Sequence, residues 1–117
     1  MNSFHVLKPG LFTTVQDLGR NGYLKYGVPI SGAMDVFSLV TANLLVKNNP
    51  SDACLEITII GPELQALTRT QIAITGGVVS PKINGQSVSM WQTLEVQEGD
   101  VVSFCRMESG CRAYLSI

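Results

Sequence analysis

Thr13-Thr14-Val15-Gln16-Asp17-Leu18-Gly19-Arg20 gathers hydroxyls, an amide, a carboxylate and a guanidinium into one short stretch. A second polar cluster, Pro29-Ile30-Ser31-Gly32-Ala33-Met34-Asp35, runs into the start of a helical pattern. A helix N-terminus offers free N–H groups and the positive end of a dipole, which suits a carboxylate or a developing oxyanion. Gly32 lets a ligand approach the backbone. Each residue also has a plain structural role open to it. Asp17 can close an Asx turn, and Ser31 or Asp35 can cap the helix.

Glu56 is the third candidate. It lies mid-strand in Cys54-Leu55-Glu56-Ile57-Thr58-Ile59-Ile60. If Leu55, Ile57 and Ile59 face the core, Glu56 and Thr58 point the other way. That side is either a solvated face or a lined cleft. In a cleft Glu56 acts as an acid, a base or a clamp on an arginine such as Arg20. Asn43, on the helix, either joins the same polar network or is a surface amide. Met34, Phe37 and Trp91 are expected in the core, His5 at a structural or surface position, and Cys54 packed.

Other chemistries find no support. Gly76-Gly77 lacks the lysine of a phosphate-binding loop, and neither HExxH nor GxSxG occurs. His5 is the sole histidine, and Cys54, Cys105 and Cys111 form no CxxC pair. A zinc site and a Ser-His-Asp triad therefore have little support in the sequence. Cys105 and Cys111 flank an expected hairpin turn and can face each other, but buried free thiols are the reading adopted.

These candidates need elements to hold them. A short strand is expected at residues 4–7, a turn at Lys8-Pro9-Gly10, a strand from Leu11 to Gln16 and a turn cluster at Asp17–Gly22. Tyr23 to Val28 reads as a short extended piece. The helix runs from Val36 to Lys47, with Phe37, Val40, Leu44 and Leu45 at helical spacing, and Asn48-Asn49-Pro50 stops it. The remainder reads as β: Cys54–Ile60, Glu63–Leu67, Gln71–Thr75, a hairpin around Asn84-Gly85, then Thr93–Val96, Val101–Cys105 and Cys111–Ile117. The expected class is mainly β with one α-helix, a barrel or sandwich.

The chain has 117 residues, 45% hydrophobic and 15% charged, with a net charge of −1. That is one domain's worth of chain, with enough apolar surface to repay ordering. A general basic footprint for nucleic acid is absent. Residues 1–51 nonetheless carry a net +2 and residues 52–117 a net −3, so the N-terminal part suits an anion. The start has no apolar run long enough for a signal peptide, and the apolar stretches are strand-sized. A cytoplasmic location without membrane contact is expected.

The run Leu7-Lys8-Pro9-Gly10-Leu11-Phe12-Thr13-Thr14-Val15-Gln16-Asp17-Leu18-Gly19-Arg20-Asn21-Gly22-Tyr23 resembles the opening signature of the biotin-dependent carboxyltransferase family. That family takes in allophanate hydrolase subunit 2, the C subunit of 5-oxoprolinase and KipA-like proteins. The likeness continues through Gly27–Asp35, Ala42–Val46, Leu55–Thr58 with Gly61-Pro62, Thr75-Gly76-Gly77 and Gly110–Leu115. Lys47 stands where the family often has glycine. The resemblance implies a cyclophilin-like β-barrel and a component of ATP-dependent 5-oxoprolinase, opening 5-oxo-L-proline to L-glutamate. It also implies two alternatives: a binding module antagonising a KipI-like kinase inhibitor, or the carboxyltransferase half of a urea carboxylase/allophanate hydrolase system. The expected partners are KipI-like and LamB/YcsF-like proteins and a small amide or lactam substrate. No cofactor is expected on this chain alone; ATP belongs to the complex and biotin would be a visitor.

Within that resemblance Gln16, Asp17, Arg20 and Glu56 are the expected catalytic residues, and Ser31, Gly32, Asp35 and Asn43 the substrate-binding ones. Family members are longer, so the chain reads as the N-terminal domain, residues 1–117, of a longer family chain. Its last strand, with Ala113, Leu115 and Ile117 on one side, is then expected to be an open edge that pairs with a partner or a second copy as a weak homo-oligomer.

Overall fold

The computed structural model describes residues 4–16, 35–107 and 111–117. The strands are β1 (Phe4–Lys8), β2 (Leu11–Gln16), β3 (Cys54–Ile60), β4 (Glu63–Ala66), β5 (Thr70–Gly76), β6 (Lys82–Ile83), β7 (Gln86–Ser87), β8 (Thr93–Val96), β9 (Val101–Ser103) and β10 (Ala113–Ser116). Among the described residues one helix, α1 (Val36–Leu45), lies between β2 and β3 in sequence. These described strands form two antiparallel five-stranded sheets, ordered β1-β4-β9-β6-β7 and β2-β3-β10-β5-β8. The expected mainly-β class with one helix is therefore what the chain adopts. The Met34 expectation and the extended piece at 23–28 lie outside the described residues.

The sheets share one apolar core. Leu64 and Val102 face it from the first sheet, and Ile57, Ile72, Ile74 and Leu115 from the second. Because side chains alternate along a strand, the second sheet has another face. Cys54, Glu56, Thr75, Tyr114 and Ser116 occupy that face, all buried, and α1 packs there through Leu39 and Ala42.

The helix is rotated relative to its apolar spacing. Ser38, Leu39, Ala42 and Asn43 face inward, while Phe37 is 73% and Leu44 56% exposed. The reason is the polar sheet face beneath. Thr75 Oγ1 donates to the Ser38 carbonyl at 2.7 Å, and the Asn43 amide bonds to Ser116 and Cys54 on the same face. Phe37 and Trp91 thus do not join the core; their rings meet at 6.2 Å near the surface.

The ends of α1 follow local chemistry. Asp35 is the N-cap, with Oδ1 accepting from Ser38 N at 3.1 Å and Oδ2 from Ser38 Oγ at 2.5 Å. The helix ends at Leu45, not Lys47. Asn48 N donates to Asn43 O at 2.8 Å and Lys47 N to Leu44 O at 3.1 Å, the paired bonds of a Schellman stop. Lys47 has φ 63°, the left-handed conformation that this stop usually assigns to glycine. Asn84 and Gly85, with φ of 52° and 80°, make the expected tight hairpin.

The expected open edge at the C-terminus is corrected. β10 pairs with β3 on one side and β5 on the other, so it sits in the middle of its sheet. Its N–H and C=O groups face neighbours already present, and among the described residues β2 and β8 are the edges of that sheet. The expected alternation of β3 also breaks at its end: Ile59 is only half-buried and has φ 68°, beside a register shift against β2.

Candidate active site

In an antiparallel pair, directly opposed residues carry their side chains on one face. The register aligns Thr75 with Tyr114, Tyr114 with Glu56, and Glu56 with Thr14. The result is a polar row across β5, β10, β3 and β2. It grades from covered to open: Thr75 and Tyr114 are fully buried, Glu56 is 7% exposed, and Thr14 is exposed on the edge strand.

Glu56 is the charged member, and a buried carboxylate needs partners. The Tyr114 hydroxyl donates to Glu56 Oε2 at 2.5 Å. Arg112 Nε lies 3.9 Å from Glu56 Oε1. Tyr114 Oη in turn accepts the Asp35 backbone N–H at 3.0 Å, which joins the start of α1 to the row. Burial, then the bond to Glu56, raise the Tyr114 pKa, so the phenol keeps its proton and remains a donor.

Arg112 is set in place by glycines. The Gly77 N–H donates to the Arg112 carbonyl at 2.7 Å. Gly76 has φ 98°, and a Cβ there would collide with that same carbonyl oxygen. The stretch Thr75-Gly76-Gly77 therefore lies against Cys111-Arg112-Ala113 because only a residue without a side chain permits the approach.

The residues expected from sequence separate clearly. Glu56 lies at the centre of the row. Gln16 closes β2, opposite Cys54, and donates to Thr14 Oγ1 at 3.1 Å. The Asp35 carboxylate is engaged with Ser38 as the helix cap. Asn43 is fully buried: its Nδ2 donates to the carbonyls of Pro50 (3.2 Å) and Asp52 (2.8 Å), and its Oδ1 accepts from Cys54 Sγ (3.2 Å) and Ser116 Oγ (2.7 Å). These four bonds fill an amide's capacity and tie α1 to the sheet and to the segment after it. Asp17, Arg20, Ser31 and Gly32 lie outside the described residues.

Sequence reasoning missed Arg112 and Tyr114. The signal was present in the last strand: with Ala113, Leu115 and Ile117 facing the core, Arg112 and Tyr114 take the opposite face. Of the three cysteines, all free, only Cys54 is buried, and that burial raises its pKa; Cys105 is exposed and Cys111 half-buried.

Residues 26–117 match the family model described as carboxyltransferase domain, subdomain A and B. The chain belongs to this carboxyltransferase-domain family. It is 40% identical over 116 residues to the urea amidolyase of Lachancea kluyveri, across 98% of this chain and 6% of that protein. It is 32% identical over 112 residues to the 5-oxoprolinase C subunit of Escherichia coli, across 96% of this chain and 36% of that protein. The crystal structure of the K. lactis urea amidolyase superposes with a TM-score of 0.92 at 47% identity, over 98% of this chain and 7% of that one. The carboxyltransferase-domain chain thus spans only a small part of these relatives. Among its described residues no helix is long and apolar enough to cross a membrane.

Proposed function

We propose that this chain supplies one wall of a carboxyltransferase site, where a carboxyl group passes to the nitrogen of a small urea-like amide. The observation that carries this reading is the buried Glu56 carboxylate, held by Tyr114 and faced by Arg112, in a polar row that opens at β2. The greater identity to urea amidolyase than to the 5-oxoprolinase C subunit, 40% against 32%, supports a urea-like substrate over a lactam.

The chemistry suits the residues. A planar amide presents N–H donors and a carbonyl. Glu56 is an acceptor for the former and for a proton leaving the reacting nitrogen. Arg112 offers a planar fork of donors that matches a carbonyl or a carboxylate. The same donor set fits the ureido ring and carboxyl group of carboxybiotin, which when bound supplies an activated carboxyl group. ATP then acts elsewhere in the assembly, on partner chains or further domains.

The test is Glu56→Gln in the complete enzyme, with bicarbonate, ATP and biotin carrier present. Urea-dependent carboxyl transfer is expected to fall by about 10²-fold or more. Glutamate release from 5-oxoproline with no response to urea would transfer the reading to the 5-oxoprolinase class. Unchanged transfer in the variant would remove Glu56 from the chemistry.

A further inference from the structure

Tyr114 is fully buried and unassigned by the reaction just described, yet its hydroxyl connects Glu56 to the start of α1. We propose that Tyr114 is the positioning residue of this site: its hydroxyl orients the Glu56 carboxylate and fixes it relative to the helix start at Asp35. The inference rests on the carboxyltransferase reading for its catalytic consequence and on geometry alone for the linkage.

The direction of the hydrogen bonds decides the role. A backbone N–H can only donate, so the Asp35 amide occupies a lone pair of Tyr114 Oη. The single phenol proton is then directed to Glu56 Oε2. Tyr114 thus transmits a fixed orientation from a peptide plane to a carboxylate. The carboxylate is held from its Oε2 side by this contact, with Oε1 on the side of Arg112.

The surroundings hold the phenol in turn. Tyr114 belongs to the cluster with Leu39, Ala42 and Cys54, and its strand is paired on both sides. The Asp35 peptide is fixed because its own carboxylate caps α1. Both ends of the linkage are therefore anchored by the helix cap and the sheet. One hydroxyl accordingly sets the spacing between Glu56 and the Asp35 peptide.

The experiment compares Tyr114→Phe, Glu56→Gln and the control Ser116→Ala in the complete enzyme. Ser116→Ala removes a buried hydroxyl from the same strand and face, so it reports ordinary structural damage. Tyr114→Phe is expected to lower kcat for urea-dependent transfer by roughly 10²-fold with KM changed less than about threefold, the signature of lost orientation. Ser116→Ala is expected to lower Tm without that split. Hydrogen exchange of the Asp35 amide supplies a readout independent of activity. Its protection is expected to fall in Tyr114→Phe, which removes the Oη acceptor, and to persist in Glu56→Gln, where the glutamine carbonyl still accepts from the phenol.

If Glu56→Gln abolishes transfer and Tyr114→Phe does not, the positioning role is overturned. If neither variant alters transfer while Asp35 protection falls in Tyr114→Phe, the linkage stands and the carboxyltransferase reading fails. Should Tyr114→Phe not fold, hydrogen exchange of the unaltered enzyme still decides. An Asp35 amide that exchanges there at the unprotected rate would overturn the linkage.

Discussion

The two faces of the second sheet are built on opposite terms. The inner face, through Ile57, Ile72, Ile74 and Leu115, meets the first sheet with apolar side chains. The outer face, under α1, buries Glu56, Thr75, Tyr114, Ser116 and Cys54, and Asn43 reaches down from the helix. Apolar contacts are non-directional and tolerate substitutions that conserve volume. Buried polar groups must each find a partner at a set angle, so the outer face fixes geometry where the inner face supplies stability. On these terms α1 is a cover over a polar layer rather than a second core helix. That is why Phe37 and Leu44 are outside and Ser38 and Asn43 inside.

The two faces should respond differently to mutation, and the largest loss is expected from the inner one. Ile57→Ala is expected to cost about 3 kcal/mol by opening a cavity between the sheets. Calorimetry should show a large fall in Tm, and the fraction still folded should retain its kcat. Gly76→Ala strikes where the outer face is set. The left-handed backbone and the close Arg112 carbonyl lead to an expected loss of about 2–3 kcal/mol. Unlike Ile57→Ala, this variant should lose turnover in excess of its lost stability, because Arg112 is displaced.

Asn43→Ala removes the acceptor of the Cys54 thiol and the Ser116 hydroxyl and the donor to the Pro50 and Asp52 carbonyls. An expected cost of about 2 kcal/mol follows, visible as a lower urea midpoint. Faster labelling of Cys54 by a thiol reagent should accompany it as α1 loosens, while Cys105, already exposed, is labelled first in either protein. Lys47→Gly acts in the other direction. Relieving φ 63° at the helix stop is expected to add roughly 0.5–1 kcal/mol, after the greater chain entropy of glycine is subtracted.

The smallest effect is alkaline. Folding raises the pKa of Cys54 above 9.0 and of Tyr114 above 10.0. The unfolded chain releases these protons first. The stabilisation is therefore complete below about pH 9 and declines as pH rises beyond it. Tm measured from about pH 8 to about 10.5 should fall, and Tyr114→Phe should flatten the upper part of the fall. A Tm that rises over this range would contradict the burial of both groups.

Short-range chemistry made part of this protein legible. The Asp35 cap, the helix stop near Asn48, the Asn84-Gly85 turn and the strand Cys54–Ile60 each depend on residues a few positions apart. So does the separation of Glu56 from Ile57, since alternation is a property of one strand. The family motifs likewise pointed to carboxyltransferase relatives.

Sheet order and the facing of α1 came instead from long-range pairing. The last strand looked like an edge because nothing in Cys111–Ile117 states which strands flank it; its neighbours β3 and β5 lie far back in sequence. The helix showed an apolar spacing around Phe37 and Leu44, yet its inward face was chosen by hydrogen bonds to Thr75, Cys54 and Ser116. Tyr114 became part of the site for the same reason. Its place beside Glu56, 58 positions away, exists only once two strands pair, and pairing over such distances is set by the total burial and bonding of the sheet rather than by any local pattern.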